Sequence, residues 1–229
     1  MVSAVLFDFY GTLAHAVSWG PTVEEVLARW DVLLDPDAKA RWDWEAADGV
    51  DHGEHSADRD SYVAWEKDRL RRLAEGCRVS PADLDEVAAA LYAATKAFTL
   101  EAYEEVPDVL AHLREMGVTV AVCSNWDWDL DRALDQAGLA DLVEVVVTSA
   151  QAGARKPHPQ IYRTALERCS VAPADALFVG DSWGPDVEGP LATGLRPVHV
   201  WRNGIAPPPP PLVDPVRRVR DLRGVLDLL

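Results

Sequence analysis

Asp8, which closes the short apolar run Ala4-Val5-Leu6-Phe7, is the first residue in the chain placed to do chemistry. The run has strand length, and a Gly11-Thr12 turn follows it closely. In an open α/β sheet, ligands bind at the carboxyl ends of the strands. An aspartate there serves as a nucleophile, a metal ligand or both. The plain alternative is an aspartate that caps the next turn. Three later segments bear on the choice. The run Thr119 to Cys123 ends in Ser124-Asn125, the loop Gly153 to Pro159 carries Lys156 ahead of a helix, and the run Ala176 to Val179 ends in Gly180-Asp181, with Asp186 shortly after.

If these runs are parallel strands, Asp8, Ser124, Lys156, Asp181 and Asp186 converge at one end of the sheet. Carboxylates gathered this closely repel one another unless a cation binds. A hard divalent ion such as Mg²⁺, held by a few carboxylates and a substrate phosphate, suits the set. Lys156 neutralises the nucleophile and a substrate anion. Ser124, with a neighbouring backbone N–H, donates hydrogen bonds to a phosphoryl oxygen.

The elements that position these residues follow from the hydrophobic pattern. Strands are expected at Thr119 to Cys123, Val143 to Thr148, Ala176 to Val179 and Pro197 to Val200. Helical patterns separate them at Asp108 to Met116, Leu130 to Ala137, Pro159 to Arg168 and Val187 to Thr193, with Gly117 at a helix C-cap. Apolar strands alternating with helices indicate an α/β fold, a parallel sheet covered on both faces. Between the first strand and this series the chain reads as helical: Thr22 to Leu34, Asp37 to Ala47, Asp60 to Glu75 and Pro81 to Lys96. Ser80 and Asp83 resemble a capping box, with Asp in place of Glu or Gln. The expected division is a core of residues 1–16 and 100–229 and a helical insertion of residues 17–99, placed to act as a lid.

The formal net charge of the 229 residues is -16. So acidic a surface argues against nucleic acid and anionic membranes as partners, and an anionic substrate needs a local positive focus. Hydrophobic residues make up 48%, enough for a buried core. Three cysteines without CxxC spacing fit reduced thiols. No stretch reads as a signal peptide or membrane span, so the expectation is a soluble cytoplasmic protein, monomer or homodimer, with a small-molecule substrate. The prolines at 207–211 read as a stiff spacer before a last helix at Asp221 to Leu228.

The order Asp8-Phe9-Tyr10-Gly11-Thr12-Leu13, Ser124-Asn125, Lys156-Pro157 and Gly180-Asp181-Ser182 with Asp186 resembles the haloacid dehalogenase (HAD) superfamily of hydrolases. The resemblance spans Val5 to about Arg202. It implies a Rossmann-like core, a helical cap, an aspartyl nucleophile at Asp8 and catalytic roles for Ser124 and Lys156. It also implies Mg²⁺ on Asp8, the Tyr10 carbonyl and Asp181, with Asp186 as a ligand or close partner. Tyr10, Thr12 and Asn125 are expected against the substrate.

Tyr10 departs from the phosphatase pattern, which has a second aspartate there to protonate the leaving group and activate water. Such a group contributes about 10²–10⁴-fold in rate, and a phenol with a pKa near 10 is a poor replacement. Tyrosine at this position resembles the 2-haloacid dehalogenases of the same superfamily, which work without metal but lack the Gly-Asp pair. Three readings follow: a Mg²⁺-dependent phosphatase, which the Asp181 and Asp186 pair favours; a dehalogenase; and a catalytically weak binding protein. His15 is either a substitute acid or a surface histidine. Asp51 to His55 reads as a solvated loop rather than a metal site. Trp126, Trp128 and Trp183, with Trp42, Trp44 and Trp65, either line the cleft or pack the insertion. Cys123 reads as a buried thiol.

Overall fold

The computed structural model describes residues 2–202, 210–212 and 214–229. Strand β1 (Ala4–Phe7) is buried along its whole length. Val5 and Phe7 face one apolar core, and Ala4 and Leu6 face another, as the two-residue period of a strand requires. Such a strand belongs at the centre of a parallel sheet. Its partners are β4 (Thr119–Ser124), β5 (Val145–Thr148), β6 (Ala176–Gly180), β7 (Arg196–Val200) and β8 (Arg217–Val219).

The six strands run in the order β5-β4-β1-β6-β7-β8, and all neighbours are parallel. Helices α5 (Val106–Glu115), α6 (Asp131–Gln136), α7 (Ser149–Ala152), α8 (Pro159–Cys169) and α9 (Gly189–Ala192) lie between the strands in the chain. The result is the expected Rossmann-like α/β fold. The chain lays β4 and β5 on one side of β1, then β6 to β8 on the other. This reversal opens a crevice at the carboxyl end of β1. Phe7 is in register with Val122 and Val179, so Asp8 lies level with Cys123 and Gly180, and Ser124 and Asp181 emerge one residue beyond it on the flanking strands.

Two strands escaped the hydrophobic pattern. β2 (Ala14–Trp19) and β3 (Phe98–Ala102) form an antiparallel ribbon. Val17 and Trp19 are exposed, so β2 lacks the polar-out alternation that marks a half-buried strand. Between the two strands lie α1 (Val23–Leu27), α2 (Pro36–Trp44), α3 (Arg59–Gly76) and α4 (Leu84–Thr95), which share a core of their own that includes Leu27, Leu70, Val87 and Leu91.

Other departures are local. α1 ends early because the chain tightens into a 3₁₀ turn and Asp31 turns left-handed at φ 57°. A full capping box forms at Thr22 and Glu25. The one expected at Ser80 does not form: Ser80 donates to the Asp83 carboxylate at 2.6 Å, and α4 starts only at Leu84. The expected helix at Val187 begins instead as a π turn, Gly184–Glu188. The last expected helix is 3₁₀, Leu222–Leu228. Of the proline run, Pro207 to Pro209 lie outside the described residues.

Candidate active site

The carboxyl ends of β1, β4 and β6 and the loop before α8 bring the predicted residues together. Lys156 Nζ lies 2.7 Å from Asp8 Oδ1 and 2.6 Å from Asp186 Oδ1. Ser124 donates its hydroxyl to the same Asp8 oxygen at 2.9 Å. Asp8 is thereby held against rotation, and among the described residues no donor reaches its Oδ2. The other Asp186 oxygen accepts from the Ser182 N–H at 2.9 Å. Asp181 accepts from the Thr12 hydroxyl at 3.3 Å. Thr12 is fully buried. Its hydroxyl orients Asp181, and Thr12 is not among the residues lining the cavity over the carboxylates.

Two glycines are required by close approach. A Cβ on Gly180 would meet Asp186 Cγ at 2.3 Å, and one on Gly11, at φ +86°, would meet Asp181 Oδ2 at 2.6 Å. Glycine at both sites lets the carboxylates pack against the strand-end backbone.

The charges are unbalanced. Burial disfavours the Lys156 ammonium, but Asp186 and Asp8 outweigh it and hold the side chain protonated. Loss of water, and then repulsion from Asp8, pushes Asp181 up to about 6. Ligand oxygens of Asp8, Asp181 and Asp186 lie within 4.8 Å of one another. Three carboxylates against one ammonium leave an excess negative charge that an oxygen-seeking divalent cation relieves. The donor set therefore fits Mg²⁺.

Backbone contacts lock the loops. Asn125 clamps Lys156 from both sides, accepting from its N–H at 2.6 Å and donating to its carbonyl at 3.0 Å. Asn125 also donates to Asp48 at 3.1 Å. Its amide thus positions the lysine loop, while the residue also lines the cavity over the carboxylates. His199 accepts from Arg218 Nε at its Nδ1. Arginine can only donate, so His199 Nε2 carries the proton and donates to the Asp181 carbonyl at 3.0 Å.

In the segment Asp51 to His55, Asp51, Gly53 and Glu54 are exposed, as expected of a solvated loop, and His52 is the exception. His52 is buried, and its N–H donates to the Gly153 carbonyl at 2.8 Å. Gly49 donates to Lys156 and Arg155 donates to Val50, so residues 49–52 bind the lysine loop. Desolvation pushes His52 down to about 4. Among the described residues it joins no metal-type cluster.

A cavity of about 240 Å³ over the carboxylates is lined by Tyr10, Trp19, Asp48 and Trp126 as well as the charged groups. A second, of about 340 Å³, lies toward the helical layer and includes Trp42, Tyr62 and Arg155. Trp126 and Trp42 therefore line clefts. Trp44 is exposed, Trp65 stacks on His52 and His55, and Trp183 packs on His199. Trp128 sits beside Tyr62. His15 stacks on Tyr103 and lines neither cavity. Burial pushes the Cys123 thiol up to about 12, which leaves it inert. Trp19, Asp48 and Arg155 were missed. Trp19 and Asp48 meet the site only through the tertiary fold, whereas Arg155 had a local signal, a second cation next to Lys156.

A family model for haloacid dehalogenase-like hydrolases matches residues 2–194. The chain belongs to this family. It is 36% identical over 157 residues to a phosphoserine phosphatase of Thermus thermophilus, a match covering 68% of this chain and 61% of that protein. The chain thus spans less than two thirds of that relative. It is 30% identical over 210 residues, 89% of each chain, to the phosphatase MT3486 of Mycobacterium tuberculosis. A 2-haloacid dehalogenase from Pseudomonas syringae shares the fold at a TM-score of 0.67 and 21% identity, with 100% and 98% of the two chains covered. No helix among the described residues is long and apolar enough to cross a membrane.

Two outcomes follow from this geometry. Protons compete with a cation for Asp181, so calorimetric Mg²⁺ affinity should hold at neutral pH and weaken as pH falls through about 6. An affinity unchanged across that range would contradict the assigned ligands. Asn125→Ala should keep the fold by circular dichroism but lower turnover by about 10-fold or more, since small displacements of a catalytic group are costly.

Proposed function

We propose that this HAD-like hydrolase is a Mg²⁺-dependent phosphatase of small phosphate esters that works through an aspartyl-phosphate at Asp8. The observation that carries the reading is the cluster of Asp8, Asp181 and Asp186 around one lysine. Phosphatase names among the relatives support it. Asp8, the Tyr10 carbonyl and Asp181 would hold the metal with Asp186 close by, and the ion supplies charge neutralisation for a phosphoryl group.

Asp8 attacks phosphorus and the ester P–O bond breaks, leaving an alkoxide or phenoxide and a phosphorylated Asp8. Lys156 and Ser124 fix the carboxylate for attack and meet the phosphoryl oxygens. Water then attacks phosphorus and Asp8 departs with its carboxylate restored. Tyr10 offers no carboxylate for proton transfer, so the leaving group takes its proton from water. The helical segment of residues 17–99 acts as a cap that selects the substrate above a core of residues 1–16 and 100–229.

The dehalogenase reading draws on Tyr10. It leaves Asp181 beside Asp8 without a task, since a metal-free site gains nothing from added negative charge.

Asp8→Asn keeps the shape and removes the nucleophile, so turnover should vanish in a folded protein. Appreciable activity in that variant would end the covalent mechanism. Rate should also depend steeply on leaving-group acidity, with aryl and acyl phosphates cleaved far faster than alkyl ones. Tyr10→Asp should raise alkyl phosphatase activity by about 10-fold or more, within the range of general acid catalysis. A flat dependence that Tyr10→Asp leaves unchanged would mean that another residue supplies the proton. Turnover of 2-haloacids in EDTA, with no Mg²⁺ binding, would establish the dehalogenase instead.

A further inference from the structure

We propose that the cavity on the helical side of Asp8 holds a second anionic group of the substrate, gripped by Arg155. The inference rests on the phosphatase reading and names the substrate class: phosphate esters whose far end carries a carboxylate or another phosphate.

Arg155 lines the cavity of about 340 Å³. Its Nε is buried with no hydrogen-bond partner, and among the described residues its guanidinium forms no ion pair. A buried donor left unpaired is costly, more so when it carries charge. The other charges around this cavity are matched. Lys96 pairs with Asp127, Arg69 with Glu66 at 2.7 Å, and Asp43 with Lys39 at 2.7 Å. Arg155 is thus the cation left over, in a chain whose net charge is -16. It is the positive focus that an anion needs to enter so acidic a protein.

Its position relative to the chemistry is rigid. The Arg155 N–H donates to the Val50 carbonyl at 2.9 Å. The next residue, Lys156, is clamped by Asn125 and bound to Asp8. Asn125 and Trp126 line both this cavity and the one over the carboxylates, so one small molecule reaches both. The planar guanidinium fork matches a carboxylate or a phosphate with two parallel hydrogen bonds. A site built to bind a polar group discriminates strongly against an analogue that lacks it.

The test compares ethyl phosphate, 2-phosphoglycolate and ethylene glycol bisphosphate as substrates in Mg²⁺. The wild type should favour at least one of the charged-tail esters over ethyl phosphate by about 10-fold or more in kcat/KM. Which ester is favoured tells carboxylate from phosphate. Arg155→Gln should bring the ratio close to one, and Arg155→Lys should retain part of it. No ion pair is lost in either variant, and circular dichroism checks the fold. A wild type without preference, or a preference that survives in Arg155→Gln, overturns the subsite while leaving the phosphatase standing. If no ester is cleaved, the phosphatase reading fails by itself. Calorimetry with phosphonoacetate and methylphosphonate then decides the subsite. Binding about 10-fold tighter for phosphonoacetate, lost in Arg155→Gln, upholds it; equal binding removes it.

Discussion

A single buried ammonium governs the arrangement of the site. Lys156 lies between Asp8 and Asp186 with only 2% of its side chain exposed. Ions so far from water are tolerated only when paired and hydrogen-bonded. Every neighbouring feature meets that need. Ser124 shares the Asp8 oxygen, Ser182 satisfies the second Asp186 oxygen, and Asn125 fixes the lysine backbone. Gly180 leaves room for Asp186 to come close. The parallel sheet supplies the remaining constraint, since strand ends in register bring residues from distant parts of the chain to one line.

The lysine neutralises one charge and leaves the others. Among the described residues Asp181 has no ion-pair partner; Thr12 donates to its carboxylate and His199 to its backbone carbonyl. On the proposed reading, that residual charge is what a divalent cation would relieve. Tyr10 sets the opposite limit: its ring packs on that of Trp19 at a 57° tilt, and both line the cavity. An aromatic side chain stands where the phosphatase pattern has an acid, so on the proposed reading esters with good leaving groups are preferred.

Much of this was legible in the sequence because the site residues sit at strand ends. A short apolar run followed by a polar residue carries both structure and chemistry. Asp8, Ser124 and Asp181 were found this way, Lys156 from the loop ahead of a helix and Asp186 from the segment after Asp181. Residues with supporting roles were read less well. Thr12 and Asn125 belong to the motifs, but the bonds of their side chains to Asp181 and to the Lys156 backbone are set by tertiary distance and leave no mark in the sequence. β2 and β3 were hidden because a solvent-facing ribbon with exposed Val17 and Trp19 breaks the alternation rule. The contact of residues 49–52 with the lysine loop consists of backbone hydrogen bonds, which leave no signature in side-chain type.

The central claim is that Asp8, oriented by Lys156 and Ser124, takes the phosphoryl group in a covalent bond. Acid-quenched single-turnover reactions with an aryl phosphate in Mg²⁺, followed by peptide mapping, test it most directly. A phosphoryl group on the peptide that contains Asp8, appearing and decaying at rates that match turnover, is the predicted result. Sustained turnover with no phosphorylated peptide, or with the label on another residue, would contradict it.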